Sequence, residues 1–375
     1  MRIGLGVTSL LRGLKCGGID GIGVYTKNLL SGLVLDKEHD TLGVSFGDCA
    51  ADNLDSLPIE ILPDFRKIAG WSFLTGLQMP FSRDLIGKVD VFHSTDHRIP
   101  KITSLPIVAT IHDAIPLIHP EFVSLRYRTF SSPIFRRSVK WASRIITPSE
   151  YSKQTIAEHL LIDPLQISVI SHGVNSEWSL PLDKERLRGI RNRYKLSKRY
   201  ILNVGTLQPR KNISRLIDAY NSLPRALQEE CDLVLVGRVG WDCADELSRI
   251  SSGARYGKLH WLQYVPQSEL LDLFKGALCF AMPSLAEGFG FPIIESFAAK
   301  VPVLTSSVTS LPEVARDAAF LVEPYRVDSI RHGLERLLED GTLREDLIMK
   351  GLLRVKDFSW EKAFAETKCV YSSVI

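Results

Sequence analysis

Short apolar runs alternate with amphipathic segments along the first half of the chain. Arg2–Val7 predicts a strand, and Gly21–Leu33, which follows a glycine-rich turn, predicts an amphipathic helix. Further β-branched runs flanked by turn residues predict buried parallel strands at Val89–Phe92, Ile107–Ile111, Arg144–Thr147 and Ile167–Ile170. Strands separated by helical patterns are typical of a doubly wound α/β domain.

The same alternation begins again in the second half. It predicts a helix at Ile213–Leu223 and strands at Tyr200–Val204, Leu233–Val236, Leu278–Met282 and Val301–Thr305. The polar segment Asn175–Lys198 between the halves predicts a linker and a lead-in helix. We therefore divide the chain into residues 1–180 and 181–358, followed by a helix in 359–375 that is expected to cross back onto the first domain.

The composition of the 375 residues, 45% hydrophobic and 24% charged, fits a soluble protein of two domains. The formal net charge of +3 is too small to favour a nucleic-acid partner. We find neither a signal peptide nor the roughly 18 successive apolar residues of a membrane-spanning helix, so we expect a cytoplasmic protein. Six scattered cysteines without a C-x-x-C pair argue against a disulfide framework or a zinc site and predict reduced, buried thiols.

The most specific stretch runs from Pro283 to Glu295, between an apolar strand and a helix. Gly288 and Gly290 allow a ligand to approach the backbone closely, and the N-terminus of the following helix attracts anions. The carboxylates of Glu287 and Glu295 can accept hydrogen bonds from paired hydroxyls, so they suit a sugar and a ribose. The alternative is an ordinary strand–turn–helix with two solvated glutamates.

A second constellation, Asn203–Asn212, again joins a strand end to a helix start. Arg210 and Lys211 place two cations at the carboxyl end of the strand, where open α/β sheets bind ligands. Guanidinium and ammonium groups neutralise phosphate oxygens, which indicates a ligand that contains phosphate. The alternative is a solvated pair of surface cations.

Together these stretches resemble the retaining glycosyltransferases of group 1, also called family 4, which have the GT-B fold. Glu287 and Glu295 match the family's Glu-x7-Glu element, and Gly205–Asn212 matches its Gly-x-x-x-Pro-Arg-Lys-Asn element. The sequence departs from the family at Val24, where a basic residue is common, and at Ala286, where a larger residue is common. The resemblance otherwise continues over nearly the whole chain at Gly21–Thr26, Thr110–Asp113 with Pro116 and Pro120, Val236–Gly237 with Gly240–Trp241, Pro302–Val303 and Ser310–Val314.

The resemblance implies two Rossmann-like, doubly wound α/β domains that face each other across a cleft. The acceptor side would lie in 1–180 and the nucleotide-sugar site in 181–358. The implied activity is retaining transfer of a hexose from a nucleotide sugar to a glycan or lipid-linked glycan, in bacterial surface polysaccharide synthesis. The His-Asp-x-x-Pro element at His112–Pro116 resembles that of mannosyltransferases and favours GDP-mannose as the donor. A rhamnosyl or another hexosyl transfer is the alternative.

The resemblance also implies roles for individual residues. Arg210 and Lys211 would bind the donor diphosphate and stabilise its charge as it leaves. Glu287 would contact the donor sugar, and Glu295 would bind the ribose. His112, at the end of a predicted strand, would be the catalytic-pocket side chain of the first domain, although a lone histidine can equally be structural. Further donor contacts would come from Gly18 or Gly21, from Gly205, from Val265 beside the base, and from the backbone of Gly288, Phe289, Gly290 and Phe291.

Stabilisation of the leaving group is expected to dominate the chemistry, because positive charge grows on the sugar ring while negative charge moves to the diphosphate. No Asp-x-Asp element is present to hold magnesium against a diphosphate, so we expect neither a metal nor another cofactor. No carboxylate stands out as a nucleophile. We therefore favour front-face attack, in which a donor phosphate oxygen takes the proton of the acceptor.

Two segments of the first domain, 66–88 and 124–144, combine basic and aromatic residues. Such a mixture suits an anionic membrane surface or a lipid diphosphate, and it favours a place on the inner face of the cytoplasmic membrane. The alternative is a charged helix face and an apolar loop packed on the core. The residues concerned are Arg66, Trp71, Phe73, Leu74, Leu77 and Phe81 in the first segment, and Arg126, Tyr127, Arg128, Phe130, Phe135, Arg136, Arg137, Lys140, Trp141 and Arg144 in the second.

Two other classes of function stay open. Gly18, Gly21 and Gly23 follow the first strand as in NAD-dependent oxidoreductases, but the Gly-x-Gly-x-x-Gly order is absent. The other class is a catalytically silent subunit that binds sugar nucleotides. The intact cation pair and Glu295 argue against it.

Overall fold

The computed structural model describes residues 1–47, 54, 57–79, 82–123, 129 and 131–375. They form two compact units, Met1–Gly173 with Ser359–Ile375 (unit 1) and Val174–Phe358 (unit 2). The chain therefore enters unit 2 earlier than residue 180, where the sequence placed the boundary. The reason is Trp178, an apolar side chain that is 3% exposed in the core of unit 2 and meets Phe274 edge-on at 4.9 Å.

The described part of unit 1 contains a seven-stranded parallel sheet in the order β3-β2-β1-β4-β5-β6-β7. The connections reverse direction between β1 and β4. Such a switch point is where open α/β sheets bind ligands, at the carboxyl ends of the strands. The strands are β1 Arg2–Gly6, β2 Asp40–Phe46, β3 Ile59–Leu62, β4 Val91–Ser94, β5 Ile107–Thr110, β6 Arg144–Thr147 and β7 Ile167–Val169.

Helices cover the sheet of unit 1. The Asp20 side chain caps the second of them by accepting a hydrogen bond from the Gly23 N–H at 2.8 Å, which satisfies an N–H that has no partner within the helix. None of the described helices of either unit combines the length and apolar character needed to cross a membrane. The helices of unit 1 that precede unit 2 in the chain are α1 Thr8–Lys15, α2 Gly21–Leu35, α3 Phe65–Thr75, α4 Ser82–Leu85, α5 Ile115–Ile118, α6 Ser132–Ser138 and α7 Glu150–Leu160.

Unit 2 repeats this architecture with a six-stranded parallel sheet in the order β10-β9-β8-β11-β12-β13. Its switch point lies between β8 and β11. Both neighbours of this point are buried along nearly their whole length, as their continuous apolar runs predict. The strands are β8 Tyr200–Val204, β9 Asp232–Val236, β10 Leu259–Leu262, β11 Cys279–Met282, β12 Val303–Ser306 and β13 Ala319–Val322.

The helices of unit 2 begin with the lead-in helix that the sequence predicts. Asp183 caps it by accepting from the Arg186 N–H at 2.9 Å. The helices are α8 Lys184–Tyr194, α9 Ile213–Asn221, α10 Arg225–Glu230, α11 Ala244–Ser252, α12 Gln267–Lys275, α13 Phe291–Ala298, α14 Leu311–Ala315, α15 Val327–Glu339 and α16 Gly341–Arg354. The predicted α/β class with two Rossmann-like parallel sheets is confirmed.

The last helix, α17 at Trp360–Ser372, belongs to unit 1. It packs on α2, where a Cβ at Gly32 would come within 3.0 Å of the Phe364 ring. Near its end, the Tyr371 hydroxyl forms a buried 2.6 Å hydrogen bond with Nδ1 of His93 in β4. The C-terminal helix therefore packs on α2 and is hydrogen-bonded to a strand of unit 1.

The sequence predicts buried thiols, but two of the described cysteines are exposed. Cys231, Cys243 and Cys279 are buried in unit 2, whereas Cys16 and Cys369 are exposed in unit 1. Cys49 lies outside the described residues.

Candidate functional site

The loop that follows β8 passes close to the loop that follows β9. A Cβ at Gly237 would come within 1.9 Å of the Gly205 carbonyl oxygen, so only a glycine fits there. The N–H of Leu207 also donates to the Arg238 carbonyl at 2.9 Å. This close approach fixes the start of the loop that carries the cation pair.

Arg210 and Lys211 lie in the 3-10 turn Pro209–Lys211 directly before α9. Asn212 adopts the left-handed conformation, with φ of 60°, and is buried. Its amide donates to the carbonyls of Pro283 at 2.9 Å and Pro324 at 2.8 Å. Asn212 thereby ties the cation-bearing turn to the loop after β11.

Glu287 brings the two cations together. One of its carboxylate oxygens accepts from the Arg210 guanidinium and the other from the Lys211 ammonium, both at 2.6 Å. Burial by itself would raise the pKa of Glu287, but the charges of Arg210 and Lys211 outweigh it and lower that pKa to about 2. The carboxylate is therefore ionised at neutral pH, and the three side chains form one ion cluster with a net charge of one positive unit.

Two hydroxyls hold the loop that carries Glu287. The Glu287 N–H donates to Oγ1 of Thr309 at 3.2 Å, and the buried Ser310 hydroxyl donates to the Glu287 carbonyl at 2.8 Å. The sequence comparison included Ser310 in a family element without giving it a task. What could have indicated a role for Ser310 is its position after β12, the strand that lies beside β11 in the sheet.

The glycine-containing loop turns directly into α13. Gly290 has φ of 103°, a conformation that L side chains rarely adopt. Gly288 and Phe289 are buried, and the Phe289 ring meets that of Phe291 at 5.6 Å. With Pro292 in its first turn, α13 begins at this end of the sheet, and its N-terminus carries the positive end of the helix dipole.

Glu295, one turn into α13, has the opposite electrostatics from Glu287. Burial, and after it the charge of Glu177, raises the pKa of Glu295 to about 8. The side chain is therefore mostly a neutral carboxylic acid at pH 7. It can donate as well as accept a hydrogen bond in that state.

Val265 follows β10 and is 7% exposed, so its side chain belongs to the core of unit 2. The exposed ring at this edge is that of the preceding residue, Tyr264. The Arg238 guanidinium lies 5.3 Å from the centre of the Tyr264 ring. At Val265 only the backbone is therefore available to a ligand.

The remaining predicted site residues are in unit 1. His112 follows β5 and is partly buried, with Nε2 3.1 Å from the Thr95 carbonyl oxygen. Burial lowers the pKa of His112, so the ring is neutral at pH 7. Gly18 lies in the exposed loop before α2, and Gly21 is the first residue of that helix.

Sequence reasoning missed a polar cluster at the β1–β4 switch point. Asp96 is 4% exposed, accepts from the Ser9 hydroxyl at 2.6 Å and forms an ion pair with Arg98. An acidic and a basic residue two positions apart in a turn look like surface in the sequence. Only the sheet order shows that they lie where a ligand would bind.

The two segments that combine basic and aromatic residues meet in the structure. Helices α3 and α6 are in contact, and the Arg137 guanidinium lies 5.3 Å from the centre of the Phe73 ring. Leu74 and Leu77 are exposed, whereas Phe135 packs in the core and Trp141 packs against it. Outside the described residues lie Phe81, Arg126, Tyr127, Arg128 and Phe130, together with the side chains of Arg66 and Trp71.

One group of potential metal ligands occurs among the described residues. Asp36, Glu38 and His39 place ligand atoms within 4.8 Å of one another. The Lys368 ammonium already lies 2.7 Å from Asp36 and 3.2 Å from Glu38. Because this lysine already contacts both carboxylates, we assign no metal to the group.

Two units with parallel sheets, and charged loops at a switch point, are features of the GT-B class of fold. A solved structure of this class has the same fold. The crystal structure of Anabaena HepE in complex with UDP and glucose aligns over 100% of both chains, with a TM-score of 0.77 at 18% identity. The predicted GT-B fold is therefore confirmed.

The sequence matches "Glycosyltransferase Family 4" over residues 19–178 and "Glycosyl transferases group 1" over residues 185–353. O-antigen chain mannosyltransferase B of Escherichia coli is 33% identical over 70% of this chain and 69% of that protein. The serotype-specific mannosyltransferase WbdA of Escherichia coli is 30% identical over 68% of this chain, but the match spans only 32% of WbdA. The chain belongs to the group 1, family 4 glycosyltransferases, which removes the oxidoreductase alternative.

Proposed function

We propose that this protein is a retaining mannosyltransferase that moves mannose from GDP-mannose to a glycan or lipid-linked glycan in bacterial surface polysaccharide synthesis. The observation that carries the proposal is the contact of Arg210 and Lys211 with Glu287 beside the β8–β11 switch point. Fixed cations there suit a diphosphate leaving group. The names of the two Escherichia coli relatives support mannose as the sugar.

A hexosyl transfer from a uridine nucleotide is the second candidate. It is favoured by the solved HepE structure, which holds UDP and glucose. Rhamnosyl transfer is a further version of the same chemistry. These candidates share the ion cluster and differ in the base and the sugar.

The proposed donor contacts follow from the positions of the loops. Arg210 and Lys211 bind the diphosphate, while Glu287 accepts hydrogen bonds from hydroxyls of the donor sugar. The N–H groups at the start of α13 and the backbone of Gly288, Phe289, Gly290 and Phe291 support the phosphate and the sugar. Gly205 is proposed to contact the donor through its backbone beside Lys211, whose Cε would lie 3.6 Å from a Cβ at this glycine.

The nucleoside is proposed to bind beside β10 and α13. Glu295 pairs with the ribose hydroxyls, and the backbone of Val265 contacts the base. The exposed face of Tyr264 supports this assignment because it lies directly before Val265. Gly18 and Gly21, in the loop before α2, are proposed to contact the diphosphate.

The proposed chemistry depends on leaving-group stabilisation. The bond from the anomeric carbon to the diphosphate breaks, and the electron pair leaves with the phosphate oxygen toward the two cations. The acceptor hydroxyl attacks from the same face, and a donor phosphate oxygen takes its proton, which gives retention. Because the cations are supplied by side chains, this mechanism uses no metal or other cofactor.

His112 is proposed to act in the catalytic pocket. Its neutral ring, with the proton on Nε2, offers Nδ1 as a hydrogen-bond acceptor to a substrate hydroxyl. Such a contact would orient the sugar without binding the diphosphate. Rate and nucleotide affinity are therefore expected to separate in His112 variants.

The donor proposal is tested by a panel of nucleotide sugars in a thermal-shift experiment. We expect GDP-mannose to raise the melting temperature most, by roughly 5–10 °C at a hundred times its Kd, ahead of UDP-glucose and dTDP-rhamnose. Lys211→Ala is expected to abolish the shift. A larger shift with UDP-glucose would replace the mannose assignment, and no shift with any nucleotide sugar would overturn the donor site.

The role of His112 is tested by His112→Ala. Calorimetry with GDP should give an affinity within about twofold of the wild type, while the rate of mannose transfer falls at least ~10-fold. An unchanged transfer rate would leave His112 as a structural residue. An equal loss of affinity and rate would assign it to nucleotide binding instead.

The joined face of α3 and α6 is proposed to bind the inner surface of the cytoplasmic membrane. Leu74 in α3 and Leu77 just after it are exposed, and so are Arg136 and Arg137 in α6 and Lys140 just after it. Apolar and cationic side chains together suit an anionic lipid surface. This face would bring the enzyme to a lipid-linked acceptor.

Vesicle sedimentation tests the membrane proposal. Binding to phosphatidylglycerol vesicles should fall about tenfold in Leu77→Ser with Lys140→Glu, and should weaken as salt screens the charges. Leu353→Ser, at an exposed leucine of unit 2, is the matched control and should bind normally. Equal binding of all three proteins would refute the assignment of this face.

A further inference from the structure

The His112 ring is held in one tautomer. Its Nε2 lies 3.1 Å from the Thr95 carbonyl oxygen, and a carbonyl can only accept a hydrogen bond. Nε2 therefore carries the proton, and in the neutral ring Nδ1 carries the lone pair. A half rotation of the ring about the Cβ–Cγ bond would put Cε1 in the place of Nε2 and Cδ2 in the place of Nδ1, and the bond to Thr95 would be lost.

Two aromatic neighbours limit this rotation. The Tyr25 ring meets His112 edge-on, with centroids 5.1 Å apart and planes at 83°. The His172 ring lies 5.4 Å from His112, with the planes at 47°. Tyr25 is fixed in turn, because its hydroxyl pairs with Oγ1 of Thr110 at 2.8 Å. The His112 ring can turn over only if Tyr25 or His172 moves.

His172 is itself tightly enclosed. It is 2% exposed, stacks on Trp360 at 5.9 Å and lies 4.9 Å from Tyr25. At the next residue, Gly173, a Cβ would come within 2.3 Å of the backbone nitrogen of Trp360. The backbone after His172 therefore packs against α17 without space for a side chain. Because so little of its surface is exposed, His172 can influence a substrate only through a neighbouring side chain, and His112 is the neighbour with a proposed role in catalysis.

We infer that His172 is a positioning residue that holds the His112 ring with Nδ1 available to the substrate. The inference rests on the proposed function, which gives His112 its task. His172 contributes as a planar ring and not as a charge, since burial, and after it the neighbouring His112, holds its pKa well below the ordinary value. A phenyl ring at this position should therefore hold the His112 ring as well as the imidazole does.

The test compares His172→Ala with His172→Phe in the full-length chain. GDP release from GDP-mannose, with octyl α-mannoside as the acceptor probe, gives kcat and KM. We expect His172→Ala to lower kcat at least ~10-fold while the KM for GDP-mannose stays within about twofold, because small misplacements of a catalytic group cost this much. His172→Phe should stay within about threefold of the wild type. His332→Ala, at an exposed histidine of α15, is the matched control.

Two further measurements separate positioning from a structural role. Nitrogen-15 NMR of the histidine side chains should show His112 protonated on Nε2 in the wild type and in His172→Phe, but a mixture of tautomers in His172→Ala. In a His112→Ala background, His172→Ala should change kcat by less than about twofold, because its effect passes through His112. If His172→Ala does not fold, His172→Leu fills the same space without a planar ring and takes its place.

Unchanged kcat and an unchanged His112 tautomer in the folded His172→Ala protein would overturn the inference. Independent, additive losses in the double variant would overturn it as well. A normal kcat in His112→Ala would instead overturn the proposed role of His112. The tautomer measurement would then still decide whether His172 orients the ring.

Discussion

The ion cluster of Arg210, Lys211 and Glu287 can be tested by removing one charge without changing shape. Glu287→Gln is nearly isosteric, but its amide turns an NH2 group toward one of the two cations. The partly buried cations then keep their charge without a compensating carboxylate. We expect unit 2 to lose stability and unit 1 to be unaffected.

The size of the effect follows from the proton affinity of Glu287. Its pKa is lowered from the ordinary 4.5 to about 2, against the opposing effect of burial. Since a tenfold change in proton affinity corresponds to about 1.4 kcal/mol, the ionised carboxylate contributes about 3 kcal/mol to the folded state. The side chain is only 9% exposed, so solvent screening reduces this value little. The contribution is complete above pH 4.5 and is lost as the pH falls toward 2.

Hydrogen exchange followed by mass spectrometry measures this effect in the intact chain, where a single unfolding free energy is not defined for two units. Peptides from β8 and β11 should exchange ~100-fold faster in Glu287→Gln, as about 3 kcal/mol requires. Glu229→Gln breaks an exposed ion pair with Arg225 and is the matched control, with an expected loss below about 0.5 kcal/mol. Equal, small effects of the two substitutions would refute the electrostatic account of the cluster.

The same variant tests how the cluster meets a donor. Glu287→Gln raises the net charge of the cluster by one positive unit, so GDP should bind more tightly at low salt. Mannose transfer should fall because the proposed contact between Glu287 and the sugar is lost. Calorimetry and the transfer assay measure the two effects separately. Weaker GDP binding together with normal transfer would contradict both proposed roles.

Four further outcomes are expected. Arg210→Ala and Lys211→Ala should each lower the transfer rate at least ~100-fold in a folded protein, as circular dichroism and the transfer assay can check; near-normal rates in both would remove the diphosphate assignment. EDTA should leave transfer unchanged, and a loss that magnesium restores would reveal a metal requirement. GDP affinity should rise between pH 6.5 and 8.5, because Glu295 with its pKa of about 8 must lose a proton to accept from two ribose hydroxyls; Glu295→Gln should remove that rise in calorimetry. Unit 1 should lose stability as the pH falls from 6.5 toward 3, because burial lowers the pKa of His93 to about 3 and the unfolded chain takes up the proton first. His93 alone accounts for about 2 kcal/mol at pH 5. Hydrogen-exchange protection factors in β4, which correct for the intrinsic exchange rate at each pH, would contradict this if they were equal at pH 7.5 and pH 5.

The central strands of both sheets could be predicted from the sequence because they are buried on both faces. Tyr200–Val204 and Arg144–Thr147 were predicted with their observed bounds, since a fully buried strand is a continuous apolar run. The edge strands β3 and β13 were missed. Each has only four residues, part of its surface faces solvent, and β3 contains the polar Glu60. β2 begins with polar residues and contains Gly43, which weakens the strand signal.

The meeting of the two charged loops of unit 2 could also be anticipated, because both follow strands at one switch point. The pairing of their side chains could not be anticipated. Glu287 lies far from Arg210 and Lys211 in sequence, and spacing alone does not show that one carboxylate contacts both cations. The cluster of Ser9 and Asp96 in unit 1 escaped for the same reason, since only the sheet order brings α1 next to the turn after β4.

The two glutamates of the shared sequence element show most clearly what spacing leaves undetermined. Both carboxyl groups are withdrawn from water, yet the pKa of Glu287 falls to about 2 and that of Glu295 rises to about 8. The difference comes from their neighbours, because two cations face Glu287 whereas Glu177 adds negative charge near Glu295. Glu287 thus holds the two cations in place, and in the proposed function a donor diphosphate would compete with Glu287 for them. That competition would release the Glu287 carboxylate toward the sugar hydroxyls at the step in which the cations take up the phosphate charge.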